Sequence, residues 1–287
     1  MNTINHYAVL GGDLRSAHLA SALAMGGDFV YAVGFERYAM PGIVRKCSMA
    51  EALSRCNAVI LPLPVSRDGN RLFAPYADRD ILLDDSLAEL LKTKMVFCGM
   101  RSSCPGSEAW RAVRMIDYAA EEEFAVRNAV PTAEGALQIA MAESDITLCG
   151  ARCLVAGYGR IGKVLARLLS AFGARVVVAA RKARDLAEIT ACGWQAVETD
   201  RIRDSGTYQF IFNTIPAAVF DAATLELCAP EAIYIELASA PYGIDFPAAK
   251  NLGVTVISAP GLPGKAAPRS AGEIMRQVIL RYMRMLR

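Results

Sequence analysis

The sequence predicts an α/β protein built from two doubly wound parallel-sheet domains, with a C-terminal helix that packs back on the first. Three observations carry this reading. Short apolar runs suited to buried strands alternate with helix-period segments along the whole chain. One such run, Cys153 to Ala156, meets three glycines spaced G-x-G-x-x-G and passes at once into a helix pattern. The chain closes on a helical repeat, Glu273 to Leu286, whose apolar residues Ile274, Val278, Ile279, Tyr282, Met283 and Leu286 share one face.

The first half supplies a strand at Tyr7–Leu10, a turn at Gly11-Gly12, and a helix capped by Asp13 and running to about Met25. A strand at Phe29–Phe35, a helix near Ser48–Arg55 and a strand at Ala58–Pro64 follow, then a helix at Ser86–Leu91 and a strand at Met95–Cys98. Gly11-Gly12-Asp13 offers a turn without the full glycine spacing, so this half reads as the substrate-side domain. Met100 to Ser107 is a strand-end loop, the usual place for ligand contacts. Asn128 then opens a long apolar helix, with Pro131 in its first turn and Thr132 and Glu134 at its exposed start.

The second half is organised by the glycine turn, and both halves are Rossmann-like. Gly157 permits the sharp turn, Gly159 lets the backbone approach a pyrophosphate, and Gly162 allows the helix to pack closely on the strand. Phosphates would rest at the helix start, on the backbone around Arg160 and Ile161. After the next strand, Val176–Ala180, an acidic residue would select NAD; this chain has Arg181-Lys182, which favours the extra phosphate of NADP. A helix at Ala183–Ala191, a strand and loop at Phe210–Pro216, a strand at Ile233–Ser239 and a closing strand at Val254–Ile257 complete the unit. Asn213, Thr214, Ile215, Pro216, Glu236, Ala238 and Ser239 sit at those strand ends and are the further cofactor-contact candidates. The expected division is 1–127 substrate side, 128–149 interdomain helix, 150–264 NADP-binding domain and 265–287 returning helix.

Composition narrows the class. With 287 residues, 54% hydrophobic and 21% charged, the chain can build two substantial cores, and a net charge of +2 gives no reason to expect nucleic acid or a membrane surface. No apolar stretch is long enough to span a membrane and no secretion signal is visible, so a cytoplasmic protein is expected. Eight cysteines, among them Cys228, form no C-x-x-C pair and read as reduced and structural. His6 and His18 are the only histidines, so a zinc site would lack its usual ligands and no metal is expected.

Several segments together resemble the A-subunit family of dipicolinate synthase from spore-forming bacteria. They are Gly11-Gly-Asp-Leu-Arg15, Asn128-Ala-Val-Pro-Thr-Ala-Glu-Gly-Ala136, Gly157-Tyr-Gly-Arg-Ile-Gly162, Ala179-Ala-Arg-Lys182, Asn213-Thr-Ile-Pro216, Glu236-Leu-Ala-Ser239 and Ala259-Pro-Gly-Leu-Pro-Gly-Lys265. One departure is Tyr242, which follows Pro241 where glycine is expected. The resemblance implies NADP-dependent oxidation of a dihydrodipicolinate-type ring to pyridine-2,6-dicarboxylate during sporulation. It also implies the flavoprotein-like B-subunit of dipicolinate synthase as partner, in an oligomeric assembly.

A dicarboxylate needs cations, and Lys265 and Arg101 are the first choices because both lie in Gly/Pro-rich loops expected to face a cleft; Arg15 and Arg269 come second. Glu134 could accept a proton or cap its helix, and capping is favoured. Two other readings stay open: a 2-hydroxyacid-type dehydrogenase, weakened because no histidine follows His18, and a chain that binds NADP(H) only to regulate a partner.

Overall fold

The computed structural model describes residues 5–226 and 232–285; Cys228 and Leu286 lie outside the described residues. The chain forms two compact units, one holding the residues up to Asn128 together with those from Ala267 onward, the other Ala129–Ala266.

Among the described residues the first unit contains six strands: β1 (His6–Leu10), β2 (Phe29–Val33), β3 (Arg45–Lys46), β4 (Ala58–Ile60), β5 (Met95–Cys98) and β6 (Met115–Asp117). All pair in parallel, in the order β3-β2-β1-β4-β5-β6. Helices cover both faces, which is why β1, β2, β4 and β5 read as nearly continuous apolar runs. The last helix, Pro268–Met285, lies against Leu14–Met25, where Gly272 comes so near that an added Cβ would fall 2.6 Å from the Arg15 carbonyl. Met275, Val278, Ile279 and Met283 complete that core.

The second unit repeats the plan with β7 (Arg152–Ala156), β8 (Arg175–Ala180), β9 (Gln195–Glu198), β10 (Phe210–Asn213), β11 (Ile233–Glu236) and β12 (Thr255–Ser258). Its order is β12-β11-β10-β7-β8-β9, all parallel, so the two sheets share one doubly wound topology. The strand order reverses between β7 and β10, and the crevice at their C-terminal ends is where such sheets take ligands.

Two helix boundaries differ from the sequence reading. The long helix runs Glu122–Ala142, so Pro131 lies inside it, Thr132 is buried in its middle and Glu134 is exposed mid-helix rather than at its start. An interior proline costs about 3 kcal/mol of helix propensity, but burial of Ala129, Ala133, Ala136, Leu137 and Ala140 carries the helix through it. Glu134 therefore caps nothing. The segment Ala259–Gly272, expected as a loop, forms a short helix, Leu262–Ala266, and the first turns of the last helix.

Candidate functional site

The site is built at the end of β7. Gly157 has φ +102°, which an L side chain rarely adopts, and a Cβ on it would stand 2.4 Å from Thr214 Oγ1. The next contact fixes the helix: a Cβ on Gly162 would fall 2.0 Å from the Gly157 carbonyl oxygen. Gly159 differs from both. It occupies the N-cap of helix Arg160–Ala171 with an ordinary φ of −86°, supplies no side-chain cap, and a Cβ there would meet nothing within 4 Å. Two glycines are thus demanded by the protein's own packing and the third leaves open space over an uncapped helix start. That start, with its positive dipole end, fits a pyrophosphate.

Tyr158, between the glycines, turns inward. Its hydroxyl donates to Glu188 Oε1 at 3.2 Å, Lys163 Nζ donates to the same oxygen at 2.8 Å, and the Lys163 ammonium lies 4.6 Å from the Tyr158 ring centre. Burial, with Glu188 beside it, pushes the Tyr158 phenol up, so it remains a donor; Lys163 holds the Glu188 carboxyl below its usual range. The trio ties helix Arg160–Ala171 to helix Ala183–Ala191 beneath the turn.

Beside the turn lies a cavity of about 820 Å³ framed by the ends of β8, β9 and β10, with Arg181, Thr199, Arg203, Ile215, Pro216 and Asp221 in its wall. Arg181 follows β8 directly; Lys182 is the exposed N-cap residue of helix Ala183–Ala191 and is not in the wall. Arg203 is a cation the sequence reading missed, because it arrives on a 3-10 segment, Thr199–Ser205, with no motif to mark it. Asp221 caps the short helix Ala222–Leu225 through Thr224, whose hydroxyl and backbone N–H hold its carboxyl below the usual range.

Behind the crevice, Glu236 and Asn213 are 1% and 0% exposed. The Glu236 carboxylate accepts from Asn213 Nδ2 at 2.8 Å, Ala238 N at 2.9 Å, Gly243 N at 3.0 Å and the Tyr234 hydroxyl at 3.2 Å. Asn213 also donates to the Ile215 carbonyl and accepts from the Ile215 N–H. These two side chains were expected to touch a cofactor; they are instead the buried clamp that holds the strand-end loops in place. Thr214 turns its hydroxyl onto the Ala156 carbonyl at 2.9 Å; Thr214, Ile215 and Ala238 are half-buried, and Pro216 and Ser239 are exposed. Tyr242, singled out by its sequence, has φ +67° and an edge-on contact with Phe246, so a side chain occupies a backbone state that glycine adopts more easily.

The cations expected for a dicarboxylate are divided between the two units, Arg15, Arg101 and Arg269 in the first and Lys265 in the second. Arg15 is buried, forked onto Asp13 at 2.8 Å and donating to the Leu63 carbonyl at 2.6 Å, so its Nε and Nη2 donors are engaged within the first unit. Arg101 is exposed in the 3-10 turn Arg101–Ser103, its backbone N–H held by Asp117 at 2.8 Å. Arg269 lies in the first unit, where burial and the Arg269 charge lower the His18 pKa. Lys265 and Glu134 belong to the second unit and are exposed.

Comparison with known proteins places these features. Residues 6–119 match the family model for the N-terminal domain of the dipicolinate synthase A-subunit, and residues 126–242 match the NAD-binding domain of D-isomer specific 2-hydroxyacid dehydrogenases. The dipicolinate synthase A-subunit of Bacillus subtilis (strain 168) is 30% identical over 282 residues, covering 96% of this chain and 95% of that protein. The crystal structure of the corresponding Bacillus halodurans protein superposes with a TM-score of 0.88 at 28% identity, covering 98% of each chain. That of the Bacillus subtilis protein gives 0.85 at 27% identity, covering 99% of this chain and 97% of that one. With a dehydrogenase-type nucleotide-binding unit and likeness along nearly its whole length, this chain belongs to the A-subunit family of dipicolinate synthase.

Proposed function

We propose that this chain oxidises a dihydrodipicolinate-type ring, or its hydrated precursor, to dipicolinate, with NADP+ as hydride acceptor. The observation that carries the cofactor choice is the cavity at the ends of β8, β9 and β10, where Arg181 and Arg203 stand in the wall and no acidic residue directly follows β8. Glu198, Asp200 and Asp221 share that wall, so the 2′-phosphate would depend on the two guanidiniums themselves. Gly159 and the uncapped first turn of its helix would take the pyrophosphate. Ala238 and Ser239 would border the nicotinamide half.

The bound nicotinamide supplies an acceptor for one hydride. The substrate loses that hydride from one ring carbon and a proton from the neighbouring position, the hydrated precursor losing one water as well, and the product is aromatic. Such a step is downhill and asks mainly for positioning of the donor carbon. Lys265 and Arg101 are proposed to hold the carboxylates. The Bacillus subtilis relative is named as one subunit of its synthase, and a second polypeptide would likewise complete the assembly used in sporulation here.

A 2-hydroxyacid dehydrogenase would need a general acid–base at the cofactor, and the second unit contains no histidine. The test is NADPH formation from freshly generated dihydrodipicolinate by this chain alone and with a flavoprotein-like B-subunit. Turnover by the chain alone is expected to be measurable and to exceed that with 2-hydroxyacids. Absence of turnover in both mixtures would overturn the proposal.

A further inference from the structure

The first unit also has an open cavity, of about 690 Å³, and its place in the sheet is informative. Val33 and Glu36 border it from the end of β2, Cys47 and Met49 from the end of β3, and Leu82 and Leu90 from the segments that follow β4. In the second unit the cavity holding Arg181 is framed by the ends of β8, β9 and β10. Because the two sheets share one strand order, β2, β3 and β4 are the counterparts of β8, β9 and β10. Both cavities therefore lie where a doubly wound sheet places the base and ribose of a nucleotide.

The first unit differs where phosphates would go. The Gly12 N–H donates to the Phe73 carbonyl at 2.7 Å, and a Cβ on Gly11 would fall 2.9 Å from that same oxygen. Asp13 holds the helix start with its own carboxylate, paired to Arg15. A negative charge already occupies the position, and the chain itself covers the turn.

The cavity wall is largely aliphatic, from Val33, Met49, Ile81, Leu82, Leu87 and Leu90, with Leu82 and Leu90 60% and 55% exposed. Its charged members are Glu36, Asp78 and Asp84 against Arg79, a balance that disfavours anions. Glu36 stands three residues past β2, one residue beyond the counterpart of Arg181 and so next to the position where nucleotide units carry a ribose-binding acid. Its carboxylate accepts from the Gly34 N–H at 3.3 Å and the Asp78 N–H at 3.2 Å, which leaves acceptor sites for further donors.

We infer that this cavity is a second ligand site, one that takes an uncharged nucleoside, its base against the aliphatic wall and its ribose hydroxyls on Glu36, and that it excludes nucleotides. The inference goes beyond the proposed oxidation and does not depend on it.

The test is equilibrium dialysis of labelled adenosine against the full chain in the presence of excess NADPH. One adenosine is expected to remain bound per chain, roughly tenfold more weakly in L82A/L90A and in Glu36→Gln, and unchanged in Arg181→Ala. AMP is expected to show no binding under the same conditions. Both leucines and Glu36 are exposed, so the variants should keep the wild-type circular dichroism and melting temperature. Displacement of adenosine by NADPH, equal binding by L82A/L90A and wild type, or AMP binding as tight as adenosine would each overturn the site. If NADPH proves not to bind, failure of the cofactor reading shows separately, and the contrast between L82A/L90A and Arg181→Ala still decides this one.

Discussion

At the end of β7 the chain turns through Gly157 and Gly159 and leaves a helix start uncapped beneath open space; at the end of β1 the counterpart turn, Gly11-Gly12-Asp13, is covered by Phe73 and capped by a carboxylate. The sheets have the same strand order and are both all-parallel, so topology does not distinguish them. The difference lies in whether the backbone groups at the first turn are left for a guest or consumed by the protein. Glycine occurs in both turns for different reasons. In the first unit Gly12 has φ +103° and would drive a Cβ to 2.0 Å from Ser16 Oγ, whereas a Cβ on Gly159 would meet nothing within 4 Å.

The largest effects that could break this comparison should come from adding one methyl group at a packed glycine. Gly162→Ala and Gly12→Ala should each cost about 1–3 kcal/mol of stability through overpacking; only Gly162→Ala should also abolish dinucleotide binding, as urea unfolding beside NADPH titration would reveal. A cofactor defect in Gly12→Ala would show that the first unit's turn is not closed. Arg181→Ala should weaken NADP(H) binding by about 1.5–3 kcal/mol, the scale of a hydrogen bond to a charged group, and leave NAD binding nearly unchanged. Equal losses for both would assign Arg181 to the scaffold.

Gly159→Ala sharpens the contrast further. Its stability should stay within about 0.5 kcal/mol of wild type, while dinucleotide affinity falls by about tenfold because the methyl group meets the pyrophosphate. Lys265→Ala should raise KM for the dicarboxylate with cofactor affinity unchanged, and steady-state kinetics at saturating NADP+ would detect it. The smallest effect concerns pH. Hydrogen bonds from the Tyr282 hydroxyl and Arg281 hold the Glu121 carboxyl below its usual range. A depressed folded value gives stability that is present above the unfolded pKa of about 4.3 and lost as pH falls through the folded value. Glu121→Gln should therefore lower the melting temperature slightly at neutral pH and flatten the acid limb of a plot of melting temperature against pH, the two proteins converging at low pH.

Much of this architecture was legible because it rests on local patterns. Apolar runs gave the strands Met95–Cys98 and Phe210–Asn213 to the residue at one end or both, and the helix Ala183–Ala191 was readable in full. The edge strand Arg45–Lys46 and the strand Gln195–Glu198 were not, because they are short, exposed and polar in part. Pro131 misled the reading for a related reason: its local signal marks a helix start, and the buried face from Ala129 to Ala140 outweighs it. At the site, the glycine turn and Arg181 could be found from spacing, whereas Arg203 reaches the same cavity through a segment without periodicity.

Glu236 and Asn213 mark the boundary most clearly. Their sequence context places them at strand ends facing a crevice, but which way a polar side chain turns depends on the donors that the loops at Ala238 and Gly243 bring to it. Local sequence was enough for two doubly wound sheets, a strand-to-helix glycine turn at Gly157–Gly162 and a cationic residue after β8, since hydrophobic periodicity and glycine spacing are properties of neighbouring residues. Which turn is open, which arginines remain available and which carboxylate is a clamp came from the folded chain, because each depends on residues distant in the sequence consuming, or leaving, a hydrogen bond.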